Sequence, residues 1–387
     1  MSWINYLLFR VFTFPLQFLP YSLLARLGNG LGLVIYYGYP RYRKRALSNL
    51  ALATELQLTP EQIVSLAKAS MQNLAISALE YPRLYREKDI SKIARCENPA
   101  YAASLIQQEK GVIFFCGHQA NWEILFLEGT SRMPGVAVGR PIKNKPLYNW
   151  TLRLREKFGG TIVTPKNAYR AGVQALKSGK FLGLVGDQGM PDAGFSSPFL
   201  GRSAWTSPLP ALLSRRTGCP IIVATIRRED GQYIIHYSDP IEPQTDIEMQ
   251  MIQVLDLFQE SIKKRPHEWL WIHNKWKQQL PGRLQKKFRQ DSVAFIFGKD
   301  PEPLEWLPQL RTLYPREQMT AFVPEGVTTN APCEVKTYSS NPFKNDYRFK
   351  LVVNFTKHSF KSPTAFHTFH FSHPKEMIQH ACPSLLS

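Results

Sequence analysis

Between residues 111 and 264, short apolar runs alternate with stretches of helical period, and this alternation constrains the fold more than any other feature. The runs are VIFFC from Val112, TIVT from Thr161, FLGLVGDQ from Phe181, PIIVATIRR from Pro220 and QYIIHYS from Gln232. Helical stretches fall near 145–158, 168–178, 208–217 and 245–264. Strands that alternate with helices build βαβ units, so the chain predicts an α/β domain with a largely parallel sheet flanked by helices. Upstream, apolar residues recur at helical spacing from Ile63 to Leu79, and Thr59, Pro60 and Gln62 form a plausible start for that helix.

At 387 residues the chain exceeds what one small core fills, so more than one domain is expected. The run GRLQKKFRQDS reads as a linker, and SVAFIFG, LEWLPQLRTLY and MTAFVP after it read as a small strand-helix-strand unit. The expected organisation is therefore a membrane-associated segment over 1–40, a main domain over 41–282, a linker over 283–291 and a small C-terminal α/β unit over 292–387. Cys96, Cys116, Cys219, Cys333 and Cys382 form no CxxC pair. Neither a disulfide framework nor a zinc site follows, and reduced thiols facing the cytoplasm fit best.

The formal charge of +18 asks for an anionic partner: nucleic acid, an acidic protein or a phospholipid surface. Residues 291–387 are nearly neutral, with 10 Lys and Arg against 9 Asp and Glu, so almost the whole excess precedes them. Part of it follows the apolar N-terminus as Arg41, Arg43, Lys44 and Arg45, where it would attract anionic lipid. Arg10, Pro15, Pro20 and Arg26 interrupt the apolar stretch, so an interfacial helix is expected at least as strongly as a span.

The candidate chemistry lies in GVIFFCGHQANWEILFLEG, residues 111–129. An interior strand breaks at Gly117, a helix follows, and His118 falls in the loop at the carboxyl end of the strand, where open α/β sheets place ligands. On one continuous helix His118 and Glu123 would stand ~140° apart; with His118 in the loop and Glu123 in the first helical turn they can meet. A carboxylate on one ring nitrogen fixes the tautomer and leaves the other as a general base for a hydroxyl. No G-x-S-x-G, P-loop or G-x-G-x-x-G accompanies the pair, so the nucleophile is expected to be a substrate hydroxyl.

A histidine, four residues and an acid after an apolar strand resemble the glycerolipid acyltransferase superfamily. GRPIKNKPLYNWTLRLREKFGG (139–160), GLVGDQG (183–189), PFLGRSAWTSPLPALLSRRTGCPII (198–222) and RPHEWLWIHNKWK (265–277) resemble, in order, the blocks of the lipid A biosynthesis acyltransferases, the lauroyl and myristoyl transferases of Gram-negative envelopes. The resemblance covers roughly residues 1–280. It implies transfer of a fatty acyl chain from acyl carrier protein to a hydroxyl of a Kdo-bearing lipid A precursor. It further implies a site at the inner membrane facing the cytoplasm, with no cofactor and no metal. His118 becomes the base and Glu123 its orienting partner.

Arg140 and Lys143 are expected to stabilise an oxyanion or grip phosphate. Asp187 and Gln188, at the end of a predicted strand, would hold Arg140 or line the acceptor site. Arg202 is a further phosphate contact, whereas Phe199, Trp205, Trp269, Trp271, His273 and Trp276 read as packing or interface residues. His367, His370 and His373, near His358, His380 and Cys382, read as part of an aromatic tail rather than a metal site. Two rival classes stay open: another lysophospholipid or glycolipid O-acyltransferase using acyl-CoA or acyl carrier protein, and a basic nucleic-acid binder supported by charge alone.

Overall fold

The computed structural model describes residues 2–278 and 284–382. Four helices come first: α1 (Ser2–Thr13), α2 (Tyr21–Gly38), α3 (Pro40–Leu52) and α4 (Pro60–Arg86). Alternation follows through β1 (Ala94–Cys96), α5 (Ala100–Gln107), β2 (Val112–Cys116), α6 (Glu123–Arg132), β3 (Gly135–Val138) and α7 (Lys145–Arg155). It continues through β4 (Thr161–Val163), α8 (Ala168–Lys177), β5 (Phe181–Val185), and the two-stranded pair β6 (Phe195–Phe199) and β7 (Arg202–Thr206). Next come α9 (Leu209–Thr217), β8 (Ile221–Glu229), β9 (Gln232–Tyr237) and α10 (Ile247–Lys264). The C-terminal elements are β10 (Ser292–Ile296), α11 (Leu307–Leu313), β11 (Gln318–Pro324), β12 (Glu334–Tyr338), β13 (Leu351–Asn354), β14 (His367–His370) and α12 (Pro374–Ala381).

These elements fall into two compact units, each drawn from three stretches of chain. The first comprises Met1–Ile35, Lys68–Gln188 and Thr206–Leu270. Its seven-stranded sheet runs β1-β9-β8-β2-β5-β3-β4. Every pairing is parallel except β8 with β9, which are joined at Asp230 and Gly231, both with positive φ, as a two-residue hairpin turn requires. The all-buried strand β2 lies in the middle, as its unbroken apolar run predicts.

The N-terminal helices of this unit do not match a span: among the described residues no helix is long and apolar enough to cross a membrane. α2 approaches α4 closely, because a Cβ on Gly32 would stand 2.3 Å from the Gln72 Cα. α1 is held by Phe9 edge-on to Trp150 and by the Arg10 guanidinium 5.0 Å over the same ring. Trp3, Ile4, Leu7, Val11 and Phe12 remain exposed. The N-terminus therefore presents an apolar face, with nothing to support the spanning form of the expectation.

The second unit comprises Tyr36–Ala67, Gly189–Trp205 and Trp271–Ser387. Its sheet, β12-β11-β10-β13-β14, is parallel throughout. The expected strand-helix-strand unit is β10, α11 and β11, with three further strands and a helix. Consecutive domains at 41–282 and 292–387 were expected, but the units interleave in sequence. α3 is tied to the C-terminal part: Asn49 Nδ2 donates to the carbonyls of Trp271 and His273, both at 2.7 Å, and Ser48 Oγ donates to the Arg348 carbonyl. Residues 283–291, expected as a linker, include Leu284 and Phe288, both buried in the core with Phe295, Leu310 and Tyr314; residue 283 lies outside the described residues. The start of α4 follows the predicted pattern, with Thr59 N and Gln62 Oε1 at 2.8 Å and the reciprocal bond from Gln62 N to Thr59 Oγ1.

Candidate active site

Strand register builds the centre of the site in the first unit. β2 and β5 are parallel neighbours with Cys116 opposite Val185. Two residues beyond each, at the carboxyl ends, come His118 and Asp187. His118 Nδ1 lies 2.8 Å from Asp187 Oδ1, and the His118 main-chain N donates to Oδ2 at 2.8 Å. The Trp269 indole also donates to Oδ2 at 2.8 Å. Both carboxylate oxygens are thus engaged in a fully buried side chain, while the His118 side chain keeps 16% of its surface. The sequence suggests that Asp187 holds Arg140 or lines the acceptor site; its carboxylate bonds the histidine.

The loop that carries His118 is fixed on several sides. Gly117 is required by packing rather than by φ, since a Cβ there would stand 2.1 Å from the Phe258 ring of α10. Ala120 adopts φ 46°, a left-handed conformation that a side chain disfavours. It is stabilised by main-chain bonding across to the EWLW segment: Ala120 N donates to the Glu268 carbonyl at 2.8 Å, and Leu270 N to the His118 carbonyl at 3.0 Å. The segment read as packing therefore positions both members of the pair. Trp122 closes one side, its ring edge-on to the imidazole at 4.6 Å.

Glu123 does not take the place expected for it. It is the first residue of α6, and its two oxygens bind Arg155 of α7 through Nε (2.7 Å) and Nη2 and accept the Tyr81 hydroxyl at 2.8 Å. The rigid guanidinium fork captures both carboxylate oxygens, and the carboxylate hydrogen-bonded to His118 is that of Asp187 instead. Burial works against the Arg155 charge, but Glu123 outweighs it and lifts the guanidinium above its usual value. Tyr81 is pushed well above its usual value by burial and then by Glu123, so it acts as a neutral donor. Beneath the loop Glu80 accepts Asn121 Nδ2 (2.8 Å) and the Tyr233 hydroxyl (2.5 Å), with Arg228 3.8 Å away.

Among the other expected residues, Arg140 and Lys143 follow β3, on the same carboxyl edge as His118 and Asp187, and both are exposed. Neither has a hydrogen bond or ion pair among the described residues. Gln188 is exposed beside Asp187. Arg202, expected on phosphate, lies in the second unit with its side chain largely enclosed, where Nη1 stands 3.5 Å from Asp291 Oδ2 and Nη2 donates to the Asp291 carbonyl. Trp271 and Trp276 are buried in that unit, and His273 belongs to it. His367 and His370 lie on β14, and His373 caps α12 with Nε2 2.7 Å from Glu302. Cys116 is an unsuitable nucleophile, because burial pushes its thiol far up.

Arg155 and Tyr81 were not singled out in the sequence. Arg155 had a usable signal: it lies four residues after buried Thr151 and next to buried Leu154, so a charge falls on the inward stripe of α7. A buried partner follows from that placement.

The sequence profile of the bacterial lipid A biosynthesis acyltransferases matches residues 1–278. The chain belongs to this family. It is 21% identical over 288 residues to the lipid A biosynthesis lauroyltransferase of Escherichia coli (strain K12), an alignment covering 72% of this chain and 93% of that protein. As a lipid A biosynthesis acyltransferase the chain is an enzyme that transfers acyl groups, with a lipid A precursor as substrate. The nucleic-acid reading, which rested on charge alone, gives way to it. His118, Asp187, Glu123, Arg155 and Trp269 all lie in the matched region.

Proposed function

We propose that the enzyme moves a fatty acyl chain from acyl carrier protein to a hydroxyl of a Kdo-bearing lipid A precursor, with His118 as general base and Asp187 as its partner. The observation that carries this reading is the 2.8 Å contact between His118 Nδ1 and Asp187 Oδ1 at the carboxyl edge of the sheet. With the Nδ1 proton directed at Asp187, Nε2 is the basic nitrogen. It takes the proton of the acceptor hydroxyl as the oxygen attacks the thioester carbonyl. The tetrahedral intermediate then expels the thiolate, which recovers the proton from the imidazolium, and Asp187 stabilises that imidazolium while it lasts.

Glu123 acts through Arg155 in this scheme, fixing α6 against α7 and so the far end of the His118 loop. Arg140 and Lys143 supply positive charge for the anionic groups of the precursor or for the oxyanion. The exposed apolar face of α1 seats the enzyme on the inner membrane from the cytoplasmic side, where a lipid acceptor lies within reach.

The test is incubation of the purified chain with acyl carrier protein thioester and a Kdo-bearing precursor, followed by mass spectrometry of the lipid. One added acyl ester is expected, and His118→Ala removes it. No product from wild-type protein with this pair would overturn the assignment of donor and acceptor.

A further inference from the structure

The second unit, apart from the residues assigned to catalysis, contains a cavity of about 610 Å³ whose described lining carries eight Lys and Arg and a single carboxylate. Arg41, Lys44 and Arg45 come from α3. Lys277, Lys286, Lys287 and Arg289 come from the segment leading to β10, and Lys350 and His367 stand at the starts of β13 and β14. The single acid, Asp291, is already engaged: it is buried, with Lys350 Nζ at 2.8 Å from Oδ2 and Arg202 at 3.5 Å. It leaves most of the positive charge uncompensated.

We propose that this cavity is a binding site for a compact, multiply phosphorylated group. Arg41, Lys277, Lys286 and Lys287 have no side-chain hydrogen bond or ion pair among the described residues, so their donors are available to phosphate oxygens. Three of the four cations following the apolar N-terminus line this concavity, although the sequence suggested a flat lipid-facing patch. At about 610 Å³ the concavity falls in the size range of small-ligand pockets and is larger than one phosphate needs. Like charges brought together around a partly enclosed space repel one another unless an anion joins them. The crowding is visible in His367, which burial and then Lys287, Lys44 and Arg41 hold below its usual value.

The location separates this site from the usual one of its sheet. Asp291 and Lys350 directly precede β10 and β13, and His367 begins β14, so the floor of the cavity is the amino edge of a parallel sheet. Open α/β sheets take ligands at the carboxyl edge. Loops from outside the sheet supply the rest of the cations, and α3 supplies three.

The experiment is isothermal titration of the full-length chain with inorganic tripolyphosphate at physiological salt. Saturable binding is expected, weakened by about tenfold or more in the triple variant Lys277→Gln, Lys286→Gln, Lys287→Gln. A control triple with equal charge loss on the first unit, Lys166→Gln, Arg170→Gln, Lys177→Gln, should bind like wild type, as should His118→Ala, which keeps this test independent of acyl transfer. If the first triple variant does not fold, Arg41→Gln alone should still weaken binding several-fold. Vesicles of phosphatidylcholine with one-fifth phosphatidic acid separate the two sources of phosphate: displacement of tripolyphosphate assigns the site to a lipid headgroup, and no displacement to a soluble polyphosphate. Absence of saturable binding, or equal weakening by both triples, would overturn the proposal.

Discussion

His118 and Asp187 lie 69 residues apart in sequence, yet the parallel register that sets Cys116 opposite Val185 brings their side chains to 2.8 Å. The pair is a product of the sheet, and it makes Asp187 the acid whose loss should resemble loss of the base. Asp187→Asn is expected to lower transfer by about 10²- to 10⁴-fold, because the amide neither stabilises the imidazolium nor holds the same tautomer. His118→Ala should abolish transfer with the melting temperature little changed. Steady-state assays on both variants, beside Glu123→Gln, check the order: Glu123→Gln should do the least damage, and a Glu123 effect larger than that of Asp187 would reverse the assignment.

The ion pair between Glu123 and Arg155 calls for a different outcome, since its first role is structural. Both side chains are largely buried, so Arg155→Met leaves a carboxylate without its fork and should destabilise the first unit by about 3–5 kcal/mol. Urea unfolding followed by tryptophan fluorescence measures this. The remaining folded protein should keep a substantial share of its activity, which a residue touching the reacting atoms would not allow.

These two carboxylates also mark where the sequence was legible. The order of strand, break, loop histidine and helix could be read from 111–129 because each step is local: an apolar run, a glycine, a polar turn and a resumed helical period. Glu123 stood in the first helical turn as expected, but its partner depended on where α7 directs a guanidinium, which no local pattern encodes. Asp187 was seen at a strand end, yet only the β2–β5 register says what it faces. The EWLW segment looked like core because its tryptophans are core; its part in holding the His118 loop depends on main-chain bonds, which leave no trace in side-chain identity. The last hundred residues yielded one strand-helix-strand unit, and the link to α3 through Asn49 and Lys350, at 2.7 Å, is a contact across 301 positions.

Lys350 gives a pH dependence. Burial pushes its ammonium down to about 8 from the ordinary 10.5, even with Asp291 beside it. Between those values the folded lysine is neutral while the unfolded one still carries its proton. The unfolded state then binds more protons, so this group makes stability rise with pH across that window. Urea midpoints for wild type and Lys350→Met measured from pH 8 to 10.5 should show the wild type gaining relative to the variant; parallel curves would refute the shift.

The face of α1 predicts a membrane phenotype that does not require a span. Trp3, Leu7 and Phe12 are 69%, 63% and 76% exposed, while Phe9 and Arg10 hold the helix to Trp150. Replacing the three exposed residues by serine removes apolar area without touching that attachment. Co-sedimentation with vesicles should fall by at least tenfold, given ~1.5–3 kcal/mol for each large apolar side chain withdrawn from lipid, and the far-ultraviolet spectrum should stay unchanged. Undiminished binding in high salt would place the membrane contact elsewhere.

Donor choice is the last expectation. Nearly all of the +18 charge belongs to the first 290 residues, and acyl carrier proteins are small and acidic, so long-range attraction should raise their encounter rate. Coenzyme A is anionic too, but it offers far fewer charges over a smaller surface. Turnover with the carrier thioester should therefore be the faster at low salt and should fall steeply as ionic strength rises, because the Debye length shrinks from ~30 Å at 0.01 M to ~8 Å at 0.15 M. The coenzyme A thioester of the same chain length should show a shallower salt slope and a lower kcat/KM throughout. Equal use of both thioesters at equal concentration would remove the carrier from the assignment, while leaving His118 and Asp187 to do the same chemistry on another donor.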